Sequence, residues 1–288
     1  MKTSALLNDL LRGHWLMDPH QLEGYAPIVH GVISRGNFAN VPDTQEKQEE
    51  FTLMDVDGSE VTEASEEEAE KIALVKMVGP VMKYGDWCSY GATDIVKMLD
   101  RAENDKTVKG TILYVDGPGG AVSAIPPFID FASRKKKPIV VLSDTACSLH
   151  YWTACVVGDF IMGENTVSGR FGSVGVVSSF IDAKKHWEEK GYVFHDIYPT
   201  ESEDKNLVFK LALEGKYDRI KEEYLSPIAK KFQAAVKEAR PNLKTDESGV
   251  LSGATFGTDK AVDIGMIDGV GNMQKAIQKV NVLANLYH

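Results

Sequence analysis

Thr111-Ile112-Leu113-Tyr114-Val115-Asp116-Gly117-Pro118-Gly119-Gly120 is the stretch on which the fold turns. Its first half is a short apolar run closed at once by glycine and proline, the pattern of a strand buried on both faces. A run with helical spacing follows, through Ile125, Phe128, Ile129 and Phe131. Upstream, residues 72–78 form another strand-length run closed by Gly79-Pro80, and residues 92–102 carry helical spacing through Ile95, Met98 and Leu99. Downstream, residues 139–142 read as a strand, 148–157 as a small-residue helix, 160–162 as a short strand and 173–177 as a glycine-punctuated one. Strands alternating with helices imply parallel pairing with helices packed outside. The class is α/β.

Farther out the signals are mixed. Residues 183–190 read as a helix and 192–197 as a strand. Residues 217–239 read as a long amphipathic helix with Ile220, Tyr224, Leu225, Ile228, Phe232 and Val236 on one stripe, stopped by Pro241. Helices near 256–264 and 273–286 complete the C-terminal region. Residues 1–42 show no clear period, and His14, His20 and His30 are scattered among them. From Asp43 to Glu70 the chain turns acidic, a self-repelling composition that reads as a linker, with a short strand expected over 51–56. The expected division is an irregular N-terminal extension with its acidic linker, 1–70, followed by one domain, 71–288.

Composition narrows the function classes. The 288 residues are 43% hydrophobic, and 32 Lys+Arg against 42 Asp+Glu give a formal charge of −10. Collagen-like and fully disordered chains are excluded, and an acidic balance argues against a nucleic-acid backbone as partner. The basic run Arg134-Lys135-Lys136-Lys137 suits the end of a helix. Cys88, Cys147 and Cys155 have no metal-ligand or disulfide-framework spacing. No run approaches the roughly 18 apolar residues of a membrane span, so a cytoplasmic chain without an anchor is expected.

Two glycine-rich segments flank a serine. In Asp116-Gly117-Pro118-Gly119-Gly120 the glycines let backbone N–H groups approach a ligand, as an oxyanion hole requires. Thr145-Ala146-Cys147-Ser148-Leu149-His150-Tyr151-Trp152 places Ser148 between a strand end and a helix start, where a serine is either a cap or a nucleophile. Ser168-Gly169-Arg170-Phe171-Gly172-Ser173-Val174-Gly175-Val176 follows.

Taken together these segments resemble the S49 peptidases, the signal peptide peptidase A family, and most of all its phage-borne members that resemble prohead proteases. The resemblance covers roughly residues 70–280 and includes Ser252-Gly253-Ala254-Thr255-Phe256-Gly257 as the closing stretch. It implies a Clp protease/crotonase-like spiral core of strand-helix units, with Ser148 as nucleophile. Backbone N–H groups of Gly119 or Gly120, with that of Leu149, would hold the oxyanion. Leu149 and His150 replace two glycines of the family pattern, and Gly117 replaces a serine.

The resemblance also implies a lysine base, at Lys205. A lysine base must be neutral, whereas Glu201, Glu203 and Asp204 favour its charge. Lys210, in an apolar run between Phe209 and Leu211, is the alternative base. Similar short-form peptidases share the serine and lysine across subunits of a ring. A histidine base is the other mechanism, but the Clp-type offset lands on Ser173, and His150, His186 and His195 read as structural.

The expected function is therefore serine endopeptidase, with no cofactor and no metal. Its partners would be polypeptides, with phage scaffold and capsid proteins as candidates, in a homo-oligomeric ring. The acidic segment 43–70 would be a tether or a self-cleaved piece. The alternatives are a crotonase-like acyl-CoA enzyme and a non-catalytic ring of the same fold.

Overall fold

The computed structural model describes residues 51–61, 69–85, 89–180 and 182–286, and the backbone of 14–17. Most of the acidic segment and Cys88 lie outside the described residues. In chain order the first elements are β1 (His14–Met17), β2 (Thr52–Asp55), β3 (Lys71–Val78), α1 (Ala92–Asn104), β4 (Val108–Gly117), β5 (Gly119–Ala121) and α2 (Ile125–Ala132). Then come β6 (Ile139–Cys147), α3 (Leu149–Val157), β7 (Phe160–Gly163), β8 (Arg170–Gly172), β9 (Val177–Ser178), α4 (Lys184–Glu189) and α5 (Leu207–Leu213). The last are α6 (Ser226–Ala239), β10 (Thr255–Gly257), α7 (Thr258–Asp263), β11 (Gly269–Val270) and α8 (Met273–Ala284).

The main sheet runs β10-β8-β6-β4-β3-β2, with β7 also on β6 and β11 on β7. Pairing is parallel throughout except at β2/β3 and β10/β8. This is the mixed α/β architecture that the alternation of runs implies. Residues on opposite faces of β4 and β6 enter different cores. Leu113, Val115 and Val141 pack with residues of α1, α2 and α3, whereas Ile112, Val140 and Leu142 pack with Ala276, Ile277 and Val280 of α8. Both faces are covered, which explains why these strands read as unbroken apolar runs.

The far edge of β6 is divided. Val140–Ser143 pair with β7, and Thr145–Cys147 pair with β8. The edge thus forks at Asp144, within β6, and the residue after the strand's last, Cys147, is Ser148. Behind it α3 is anchored by the Trp152 ring stacked on Phe232 of α6, centroids 4.6 Å apart, and by the Tyr151 hydroxyl, which donates to the Met266 carbonyl at 2.8 Å.

Three local expectations fail for identifiable reasons. Residues 173–176 are not strand, because Gly172 and Ser173 both take positive φ (118° and 54°) and turn the chain out of the ladder. Residues 192–197 alternate like a strand but pair with no edge among the described residues, and Val193 and Ile197 are 75% and 91% exposed. The long helix over 217–239 is divided into a π-helical stretch, Ile220–Leu225, and α6, because Pro227 in the first turn of α6 has no N–H to continue regular bonding. Among the described residues no helix is long and apolar enough to cross a membrane.

Candidate active site

Four sequence segments converge at the C-terminal end of β6. Ser148 follows β6 at the N-cap position of α3 with φ 55° and ψ −115°, a conformation that side chains rarely adopt. Its N–H donates to the Gly172 carbonyl at 2.8 Å, and its carbonyl accepts from the Trp152 N–H at 2.9 Å. On the other side of that contact the Ser173 N–H donates to the Ala254 carbonyl at 2.8 Å, and β10 pairs with β8. The backbone on either side of Ser148 is therefore held by the sheet and by the helix.

The Ser148 side chain makes no capping hydrogen bond. A capping serine spends its oxygen on the N–H groups of the first turn. Here the first-turn N–H groups, Leu149 among them, keep no intrahelical acceptor, and the positive end of the α3 dipole lies at the serine.

The glycine turn packs against this helix start. Gly119 takes φ 126°, open to glycine and costly for other residues. A Cβ on Gly120 would lie 2.8 Å from Leu149 Cδ2 and would also strike the Val81 carbonyl. Val81 fixes the turn from behind: its N–H donates to the Gly119 carbonyl (3.1 Å), and its carbonyl accepts from the Ala121 N–H (3.0 Å). Val81 is a positioning residue that the sequence reading missed; its only signal was the Gly79-Pro80 turn just before it.

A Cβ on Gly117 would collide with His150 Nε2 and lie 2.7 Å from the Gly79 carbonyl. Two departures from the family pattern are thus one packing solution: the imidazole of His150 fills the space that Gly117 leaves. That ring is fully buried, and burial pushes its pKa down to about 3, against a smaller opposing influence of the Gly79 carbonyl. A neutral imidazole so reluctant to bind a proton is a poor general base. His186 and His195 are exposed and lie on the 182–217 arm.

Just ahead of the turn, burial and then the neighbouring Asp144 and Glu164 raise the pKa of Asp116. Cys147 is buried with its sulfur 3.9 Å from the Arg170 carbonyl, consistent with a packing role.

The two lysines lie on the 182–217 segment. Lys205 is exposed in a turn, its N–H donating to the Ser202 carbonyl at 3.1 Å. Lys210 lies on α5 with its amine 3.6 Å from the centroid of the Tyr198 ring. Among the described residues no hydrogen bond or ion pair joins Ser148 to either lysine. Ser148, Leu149 and the 117–120 turn come together in one chain.

Residues 131–287 match the model of peptidase family S49. "Protease 4" of Haemophilus influenzae is 25% identical over 230 residues, covering 75% of this chain and 35% of that protein. "Head-tail preconnector protein GP5" of Enterobacteria phage P21 is 26% identical over 216 residues, 74% of this chain and 42% of that protein. The chain spans 35% to 61% of the length of the first curated relatives it matches. Among solved structures, a mutant of the 1510-N membrane-bound stomatin-specific protease in complex with a substrate peptide is similar at a TM-score of 0.45 and 13% identity, over 72% of this chain and 77% of that one.

Proposed function

The chain belongs to peptidase family S49, and on that premise we propose that it is a serine endopeptidase with Ser148 as nucleophile and Lys205 as base. The observation that carries this reading is the backbone of Ser148, held at φ 55° at a helix start with a hydroxyl unspent on capping. Strain of this kind costs about 1–3 kcal/mol and gathers at functional sites.

In the proposed reaction the Ser148 Oγ adds to the substrate carbonyl carbon while the neutral lysine amine takes its proton. The oxyanion is held by the N–H of Gly119 or Gly120 and that of Leu149. The C–N bond then breaks, the lysine returns the proton to the leaving amine, and water releases the acyl group by the same route. Leu149 and His150, in place of two glycines, shape the wall beside the nucleophile and with it the residue preferred at the cut.

The base is proposed to come from a neighbouring subunit of a ring. Lys205 lies on an arm, residues 182–217, that exposes Trp187, Tyr192, Val193, Phe194, Ile197 and Phe209. So much exposed apolar surface on one segment is the mark of an interaction site. Lys210 is the alternative base; its amine over the Tyr198 ring is in a setting that favours the charged form.

The substrates are proposed to be phage scaffold and capsid proteins, a reading supported by the similarity to the phage P21 preconnector protein. Cleavage of a casein-like substrate by the wild-type chain and by Ser148→Ala, Lys205→Ala and Lys210→Ala tests the dyad. Loss in the first two, by about 100-fold or more for the base, with Lys210→Ala near wild type, is the expected pattern. Undiminished cleavage by both lysine variants would sink the dyad.

A further inference from the structure

Beside the main sheet is a three-stranded one in which β1 is the middle strand between β5 and β9. It is antiparallel to both. Trp15 lies opposite Ala121, Leu16 opposite Gly120 and Met17 opposite Gly119; on the other edge His14 and Trp15 pair with Ser178 and Val177. The far edge of β5 is already engaged, since the Gly119 carbonyl and the Ala121 N–H both bond to Val81. Backbone polar groups of successive strand residues point to alternate edges. The Gly120 N–H and C=O are thereby left for the β1 side, opposite Leu16.

Among the described strands nothing but β1 lies between β5 and β9. Neighbouring strands sit about 4.8 Å apart. Without β1 the two edges would therefore face each other across a slot one strand wide, lined with unpaired N–H and C=O groups. Such a slot takes an extended polypeptide through main-chain hydrogen bonds.

Two features tie the slot to Ser148. Its walls are continuous with the site: β5 extends the glycine turn that abuts Leu149, and β9 follows the kink whose Gly172 carbonyl receives the Ser148 N–H. Its polarity also fits. β1 runs toward Gly119, so that Met17, its last paired residue, stands opposite the glycine proposed as an oxyanion donor. An acyl-donating peptide needs this direction, with the residues before the cut along the sheet and the reacting carbonyl at the turn.

We infer that residues 14–17 are a built-in occupant of the substrate slot, competing with incoming polypeptide for the backbone groups of β5 and β9. The inference rests on the peptidase reading given above and adds its regulation. A tethered segment acts at an effective concentration on the order of millimolar, so substrate at micromolar levels meets a slot that is mostly filled.

The test uses the full chain carrying Ser148→Ala, which cleaves nothing, and a fluorescent peptide with the sequence of residues 12–20 as probe. Adding Leu16→Pro removes the N–H opposite Gly120 and opens the slot. Fluorescence anisotropy is expected to show at least tenfold tighter probe binding to the double variant, and no binding of a probe with proline at the Leu16 position. A second chain with glycine at positions 14–17 should show the same gain without a proline. Equal probe affinity of closed and opened chains, with matching circular dichroism, overturns the inference.

In chains that keep Ser148, Leu16→Pro is expected to lower KM for a casein-derived peptide by a similar factor and leave kcat alone. Cleavage with unchanged KM removes the competitor and leaves the peptidase. No cleavage by any chain, alongside a clear anisotropy difference, removes the peptidase and leaves the filled slot.

Discussion

The surroundings of Ser148 and of Lys205 are built in opposite ways. Ser148 is 1% exposed, its backbone is bonded both to Gly172 and to Trp152, and its neighbours Leu149, His150 and Tyr151 are fully buried. Lys205 is exposed on a segment that also exposes Tyr192, Val193, Phe194 and Ile197 and whose alternating stretch, 192–197, pairs with no strand among the described residues. One chain brings Ser148 and the glycine turn together. The proposed base lies on a segment with exposed apolar residues, and its supply by a second copy is the proposal to be tested.

Mixing inactive chains probes that difference at its largest. Ser148→Ala and Lys205→Ala are each expected to cost orders of magnitude in rate, about 10²–10⁴ for the base alone. Combined in one tube and allowed to exchange subunits, they should regain a measurable share of wild-type cleavage, because some interfaces then join an intact Ser148 to an intact Lys205. A mixture no more active than its parts would place both members of the dyad in one chain.

The buried side of the comparison is tested by Gly117→Ser, which restores the residue of the family pattern. Its Cβ would collide with His150 Nε2, and overpacking of this kind costs about 1–3 kcal/mol. The expected outcome is a lower melting temperature, recovered only in part when His150→Ala is added, because the Gly79 carbonyl would remain 2.7 Å from the new Cβ. An unchanged melting temperature for Gly117→Ser alone would show that the ring and the Gly79 backbone both yield freely.

How much of this is legible in the sequence follows from the same contrast. Strands β4 and β6 are written plainly, because burial on both faces forces continuous apolar runs, and the place of Ser148 follows from the strand end and helix start around it. The apparent strand at 192–197 misleads because alternation reports one apolar face without saying whether an edge is available to pair with it. Pro227 was visible, yet an amphipathic stripe over 217–239 hid its effect on the helix. The seat of residues 14–17 was not legible at all: their pairing to Gly119, Gly120 and Ala121 is made through backbone groups that every residue carries.

A smaller effect is expected at Asp116, where burial first, then Asp144 and Glu164, raise the carboxyl pKa. The folded state then holds this proton more tightly than the unfolded chain. Stability from this group is fully present below the ordinary carboxylate value and falls as pH rises through the raised one. Asp116→Asn should therefore melt higher than wild type near neutral pH, with the gain vanishing in acid. A gain that persists unchanged at low pH would mean that titration is not its source.

The most direct measurement is peptide mapping after treatment of the full chain with a fluorophosphonate, which phosphonylates activated serines with loss of fluoride. The adduct is expected on the peptide containing Ser148, and to disappear in Ser148→Ala while the fold is retained. A chain carrying no adduct with β1 opened by Leu16→Pro, or an adduct on another serine, would contradict the assignment of Ser148 as nucleophile.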